Sequence, residues 1–209
     1  MSLTGLAAPL IQFRFPEKAY SFLLGAEQGK ALAGTAALIL FIGFLPFLFM
    51  GGVSSGEAEI PLLISLERAL LSAAAGLSVF ALAFALGDRK PLWPAISSSF
   101  LSMGAFMVII AVLTLLSYLF SLPGQFTWSP AELLLDLPPT RLSVFLLLFA
   151  SRLDLASLVT VYLWGRGLST VWDVNRSTGQ RMAWTVYLFG ILLLTLPVFI
   201  AAPGGEGAS

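Results

Sequence analysis

The stretch SSSFLSMGAFMVIIAVLTLLSYLF, residues 97–120, decides the class of fold. It carries no charged side chain, and a helix needs about 20 mostly apolar residues to cross the hydrocarbon core of a bilayer. Apolar runs of similar length cover residues 31–50, 66–87 and 183–201. The whole chain is 58% hydrophobic and only 11% charged, against about 25% charged residues in soluble domains. The sequence therefore predicts an all-α protein, a polytopic transmembrane helical bundle.

A further run, residues 142–168, is long enough to cross, although Arg152 and Asp154 interrupt it. We interpret it as one span, because residues 142–150 alone would extend only about 14 Å at 1.5 Å per residue. The alternative is a short interfacial or re-entrant helix followed by a shorter span. The prediction is then five spans in a transmembrane domain at 31–202, after an N-terminal segment at 1–30 and before a disordered tail at 203–209.

Basic residues occupy alternate connections of the five-span arrangement. They are Arg14, Lys18, Lys30, Arg89, Lys90, Arg166, Arg176 and Arg181. The other connections and the tail hold Glu57, Glu59, Glu132, Asp136 and Glu206, with Arg141 at a span boundary. Because cytoplasmic loops are enriched in Lys and Arg, we predict a cytoplasmic N-terminus and a C-terminus outside. We expect integral insertion in a prokaryotic cytoplasmic (inner) membrane.

The segment before the first span predicts a short amphipathic helix. Proline favours the first helical position, so Pro16 starts a helix that extends to Glu27. Ala19, Phe22 and Leu23 then form an apolar stripe, which we expect to face lipid at the cytoplasmic membrane surface. The first apolar run has no clear cleavage site at its end and is interpreted as a signal anchor that stays in the protein.

Missing residue types exclude several kinds of chemistry. The chain has no cysteine and no histidine, which removes disulfides, thiolate nucleophiles, His-based proton relays and the usual zinc sites. A net charge of zero leaves no basic field for nucleic acid. We therefore expect no enzymatic activity, no catalytic, cofactor-binding or metal-binding residues, no cofactor and no nucleic-acid partner.

Four ionisable residues at membrane depth are the candidate site. An unpaired charge in hydrocarbon is costly, so such residues are functional candidates. On a continuous helix Arg152 and Asp154 point about 200° apart and cannot pair with each other. We predict pairing with the second span, Arg68 with Asp154 and Glu67 with Arg152. The alternative is that the four residues only fix helix register or snorkel to the interface.

Small side chains cluster in two places. The small residues of the second span allow close helix approach, within the bundle or at a homodimer surface. They are Ser72, Ala73, Ala74, Ala75, Gly76 and Ser78. Ser97, Ser98, Ser99 and Ser102 begin the third span. They either line a polar cavity or bond to carbonyls of their own helix.

One part of the chain resembles a known family. Leu153-Asp154-Leu155, then a span ending Gly165-Arg166-Gly167-Leu168 and a small polar loop, is similar to the fourth-to-fifth span region of the Yip family, in its bacterial type. The match covers about thirty residues, and Ala156 and Val159 stand where bacterial members often have Phe and Trp. The resemblance implies five spans, a cytoplasmic N-terminus and a family acidic position at Asp154. A Rab-binding role is not carried over.

Two functions follow as expectations. The resemblance implies a non-enzymatic protein of membrane organisation or trafficking, which acts through helix packing, the lipid bilayer, a homodimer or membrane-protein partners. The alternative is a small-solute transporter or channel component with its polar path at Glu67, Arg68, Arg152 and Asp154. A transporter requires a water-accessible cavity at these charges, whereas a scaffold requires them to be sealed.

Overall fold

The computed structural model describes residues 5–49, 59–120, 129–138 and 140–201. Within these residues all regular secondary structure is helical, which confirms the predicted all-α class. The predicted tail at 203–209 lies outside the described residues.

Short helices precede and separate the long ones. The first are α1 (Ala8–Ile11), α2 (Pro16–Ser21) and a 3-10 turn (Phe22–Leu24). The long helices are α3 (Gln28–Phe49), α4 (Glu59–Ala85), α5 (Leu92–Leu119) and α8 (Arg176–Ala201). Between α5 and α8 come a second 3-10 turn (Pro130–Leu134), α6 (Arg141–Ser151) and α7 (Leu155–Val171).

Membrane-crossing capacity is clear for part of the bundle. Leu92–Leu113 and Arg176–Pro197 are long and apolar enough to span a bilayer, and α6 with α7 makes a third span if the bent pair counts as one. Gln28–Ile42 and Leu70–Ala85 are shorter apolar helices among the described residues. The membrane class is thus supported with two or three candidate spans, and the count of five stays a prediction.

One end of the bundle gathers the predicted basic residues, and we call it the basic end. The α4–α5 connection meets the end of α7 there, because Lys90 Nζ donates to the Trp172 carbonyl at 3.1 Å and Trp172 Nε1 donates to the Pro91 carbonyl at 3.0 Å. The N-terminal segment packs at the same end, against α3, α5 and α7. Eight basic residues therefore lie at or within two turns of helix ends on one side.

The prediction that Ala19, Phe22 and Leu23 form a lipid-facing stripe is wrong. Ala19 and Leu23 are buried in the main apolar core, and Phe22 packs against that core from a partly buried position. Tertiary contacts bury these residues, because glycines on α3 and α7 leave room for the N-terminal segment. A Cβ added to Gly34 would lie 2.9 Å from Leu6 Cα, so only glycine allows the chain to pass there.

Close helix contacts depend on small residues. A Cβ at Gly76 would lie 2.6 Å from Ile96 Cα, and one at Gly179 would lie 2.8 Å from the Ser169 nitrogen. The expectation that small residues of the second span serve packing within the bundle is confirmed at Gly76, where α4 meets α5.

Candidate functional site

The predicted fourth span is broken at residues 152–154. α6 ends at Ser151 and α7 begins at Leu155, and the two helices are bent by 58°. Arg152 and Asp154 therefore do not share one continuous helix, contrary to what the sequence interpretation assumed. The physical reason is that Asp154 caps a new helix instead of continuing the old one. The prediction of a single span over residues 142–168 stays a prediction, because the bent pair fits one broken span as well as a short re-entrant helix followed by a shorter span.

Asp154 is the N-cap of α7. Its backbone is extended, with φ −72° and ψ 159°. One carboxylate oxygen accepts from the Ser157 amide at 2.7 Å, and the other accepts from the Ser157 hydroxyl at 3.0 Å. An N-cap carboxylate satisfies amides that lack helical partners and lies at the positive end of the helix dipole. The residue is therefore held by its own helix start.

Two carbonyls at the break accept hydrogen bonds from side chains of neighbouring elements. The Ser129 hydroxyl donates to the Ala150 carbonyl at 2.8 Å, and the Tyr187 hydroxyl donates to the Arg152 carbonyl. Backbone polar groups at membrane depth require such partners, because lipid supplies none. The 3-10 turn and α8 thus hold the break in place.

The predicted four-residue network is only partly visible. Arg152 is exposed, and among the described side chains neither it nor Asp154 has an ion-pair partner within 4.0 Å. The side chains of Glu67 and Arg68 lie outside what the structure describes. Pairing between α4 and the break therefore stays a prediction, and the contacts that are seen come from Ser157, Ser129 and Tyr187.

A second polar site lies at the basic end and was missed in the sequence. Tyr20 is fully buried, and its hydroxyl donates to Gln12 Oε1 at 3.2 Å. The Gln12 amide in turn donates to the Pro9 carbonyl at 2.9 Å and to the Leu101 carbonyl of α5 at 3.0 Å. Burial raises the pKa of the Tyr20 phenol, because the anion would lose its hydration. A buried series of hydrogen bonds between uncharged groups thus holds the N-terminal segment in place.

Charged residues fasten the same segment from outside. Glu17 of α2 accepts from Arg166 of α7, and from Arg176 Nη2 at the start of α8 at 2.9 Å. The hydrogen bond from Arg166 is the main reason that the pKa of the Glu17 carboxyl lies below its ordinary value. The Arg166 side chain is mostly buried, whereas Glu17 is about half exposed.

The site forms on α7 because a glycine stands on each side of Arg166 there. A Cβ at Gly165 would lie 2.7 Å from Gln180 Cδ of α8, and one at Gly167 would lie 2.6 Å from Tyr20 Cζ. Two glycines around an arginine are thus the sequence signal for the site. We define residues 5–24 as the docked segment and the Gly165–Gly167 region of α7 as its dock.

Within the described ranges no three His, Cys, Asp or Glu side chains come together to hold a metal ion.

Two serines at the start of α5 follow the predicted alternative in which serine hydroxyls bond to carbonyls of their own helix. Ser98 and Ser102 donate to the carbonyls of Ala95 and Ser99 in their own helix, at 2.9 and 2.7 Å.

Comparisons with protein-family models, curated proteins and solved structures return no match for this chain. The resemblance to the Yip family therefore stays a prediction.

Proposed function

We propose that this chain is a non-enzymatic integral membrane protein of Yip type, which serves membrane organisation or trafficking through helix packing and partner proteins. The observation that carries the proposal is that the Asp154 side chain is bonded within the start of its own helix. Both of its carboxylate oxygens are bonded to Ser157, at the start of α7. A carboxylate used in this way stabilises a helix end and needs no solute.

Topology belongs to the same proposal. Five spans, a cytoplasmic N-terminus and an outside C-terminus fit the gathering of eight basic residues at one end of the bundle, under the positive-inside rule. The basic end is then cytoplasmic, and the membrane is a prokaryotic inner membrane. The partners are the bilayer itself and a second copy or other membrane proteins.

A second function is favoured by the helix break itself. Transporters bind substrates and ions at discontinuous helices whose freed backbone groups face the site. The 58° bend between α6 and α7 and the exposed Arg152 have that character. In this alternative Glu67, Arg68, Arg152 and Asp154 line the polar path of a small-solute transporter or channel component.

Replacement of Asp154 separates the two functions. Asparagine caps helices about as well as aspartate, whereas alanine at an N-cap costs about 1 kcal/mol. The scaffold proposal therefore expects Asp154→Asn to keep the melting temperature in detergent and Asp154→Ala to lower it. Thr140→Ala is the matched control, because it removes the uncharged cap of α6, where Thr140 Oγ1 accepts from the Ser143 amide at 3.1 Å.

Solute flux is measured on the same variants in proteoliposomes, by stopped-flow swelling in a panel of small solutes and by an internal pH dye. The proposal expects wild type and both Asp154 variants to match protein-free liposomes. Flux through the wild type that Asp154→Asn abolishes would refute the scaffold and support the transporter. Equal destabilisation by Asn and Ala would show that the charge, and not the cap, is what Asp154 supplies.

A further inference from the structure

The docked segment enters the bundle from the basic end and returns to that end. Its start lies beside α3, because a Cβ added to Gly5 would lie 3.1 Å from Lys30 Cβ. Its end also reaches the start of α3, where the Gln28 amide donates to the Gly25 carbonyl at 3.1 Å. Between these two ends α1 and α2 pack against each other. The segment is therefore a helical hairpin that opens toward the basic end.

The inner part of this hairpin lies deep in the bundle. Gln12 Nε2 donates to the Leu101 carbonyl at 3.0 Å, and a Cβ added to Gly104 would lie 3.0 Å from Pro9 Cβ. Leu101 and Gly104 are the tenth and thirteenth of the 22 residues in the candidate span Leu92–Leu113. At 1.5 Å per residue they lie about 14 and 18 Å from its start, about halfway through a hydrocarbon core roughly 30 Å thick. Where α5 crosses a membrane, the inner part of the hairpin thus lies near the middle of that membrane.

The backbone of the hairpin suits this depth. Lipid offers no hydrogen bonds, so backbone groups at membrane depth must be paired within the protein. In the connection between α1 and α2 the amides of Arg14 and Phe15 both donate to the Ile11 carbonyl, at 3.1 and 2.8 Å. The Ala19 amide of α2 in turn donates to the Phe15 carbonyl at 3.0 Å. These amides therefore need no water.

The outer face of the docked segment combines apolar side chains with positive charge. We define this face by its exposed residues, which are Leu6, Leu10, Phe13, Arg14, Phe15 and Lys18. Arg14 Cζ lies 5.1 Å from the centroid of the Phe15 ring. Glu17 is the only acidic residue in the sequence of the segment, and it is bonded to Arg166 and to Arg176, the first residue of α8. The outer face therefore carries two cations toward the basic end, while the one carboxylate of the segment is engaged by α7 and α8.

We propose that the docked segment is a re-entrant hairpin in the leaflet at the basic end and that its outer face binds an anionic phospholipid of that leaflet. The acyl chains lie against Leu10, Phe13 and Phe15. Arg14 and Lys18 extend toward the phosphate, as long basic side chains do near an interface. A zwitterionic lipid offsets its phosphate with its own ammonium group and suits two cations less well. The inference rests on the membrane position of α5 and is independent of the proposed scaffold function.

A single cysteine measures the depth of the hairpin, because the chain has no cysteine of its own. Leu10→Cys is labelled with bimane in the full chain and reconstituted in phosphatidylcholine vesicles. Lipids that carry a nitroxide on the acyl chain should quench this label, and aqueous iodide should quench it about tenfold less than a label at Gly25→Cys, since ions are excluded from hydrocarbon. Gly25 is the matched control, because it is exposed at the outer end of the hairpin and a Cβ there meets nothing within 4 Å. Equal iodide quenching at the two sites overturns the re-entrant position.

The lipid is identified with two nitroxide lipids that differ only in the headgroup. At the Leu10→Cys label, phosphatidylglycerol should be preferred over phosphatidylcholine about fivefold, the factor that one basic residue contributes near an anionic surface. Arg14→Gln combined with Lys18→Gln should remove this preference.

The control for this result is Arg89→Gln combined with Arg181→Gln, which removes two exposed cations of the basic end outside the docked segment. This variant should keep the preference for phosphatidylglycerol. Equal quenching by the two lipids in the chain with Arg14 and Lys18 intact overturns the proposed lipid. A preference that survives the loss of Arg14 and Lys18, or that both double variants lose, overturns the assignment to the outer face.

Discussion

Replacing Gly167 by alanine is expected to release the docked segment from α7. The added Cβ would lie 2.5 Å from Tyr20 Cδ1 and 2.6 Å from Cζ, about 1 Å closer than atoms in van der Waals contact at roughly 3.5 Å. The ring has no room to retreat, because Tyr20 is fully buried and its hydroxyl is bonded to Gln12.

The expected free-energy cost follows from the packing that the Tyr20 ring would lose. Overpacking a tight contact costs about 1–3 kcal/mol, and removing a buried aromatic side chain from its site costs about 3–5 kcal/mol. We expect a cost near 3 kcal/mol, which corresponds to a change of about 100-fold in the docking equilibrium. This cost falls on the docked segment and much less on α5 or α8.

Limited trypsinolysis in detergent reads this equilibrium. Arg14 and Lys18 lie in the docked segment, and cleavage follows the population of the open form when reclosing is fast. Gly167→Ala should therefore raise the rate of cleavage at these sites by about two orders of magnitude. Gly190→Ala is the control, because a Cβ at Gly190 meets nothing within 4 Å and alanine favours a helix interior.

A Gly167→Ala chain as resistant as wild type would refute the packing argument and favour a segment that lies on the membrane surface. A double-mutant cycle gives a second reading. The costs of Gly167→Ala and Tyr20→Ala should be strongly non-additive, because the clash disappears with the ring. Additive costs would show that the two residues do not meet.

Three further predictions concern other contacts. Arg166 holds the pKa of the Glu17 carboxyl below its ordinary value of 4.5. The ion pair therefore stabilises the fold above that pH, and its contribution is lost as the pH falls through the lowered pKa. The melting temperatures of wild type and Glu17→Gln should differ at pH 7 and converge in acid. Gly76→Ala should cost about 1–3 kcal/mol in thermal unfolding, because the new Cβ meets backbone atoms of α5 that cannot rotate away. Tyr187→Phe should cost about 1 kcal/mol by the same measurement, since it leaves the Arg152 carbonyl at the helix break without its donor.

Local sequence was sufficient for the helices and their class. Long apolar runs without charges, such as residues 97–120, predict helices because every backbone hydrogen bond in a helix is made within about four residues. The placement of Arg89, Lys90 and Arg176 likewise predicted that one end of the bundle would be basic. These inferences need only composition and spacing.

The candidate site was less predictable. Asp154 was singled out for its charge at membrane depth, but its role as an N-cap depends on where the helix stops. Aspartate is a favoured N-cap residue, so Asp154 was itself a local sign of a helix start. That sign competed with the apolar run from residue 142 to 168, which favoured a single helix.

The dock of the N-terminal segment was decided by tertiary structure alone. An amphipathic α2 fits a lipid surface and a protein groove equally well, since both bury an apolar stripe. The groove accepts the segment because Gly167 leaves room for Tyr20. Arg166 then pairs with Glu17, which lies 149 positions earlier in the chain. The sequence by itself therefore determined which segments are helical and which end of the bundle is basic. Only the fold decided that the first helices pack inside that end, because it alone places glycines where a side chain must enter.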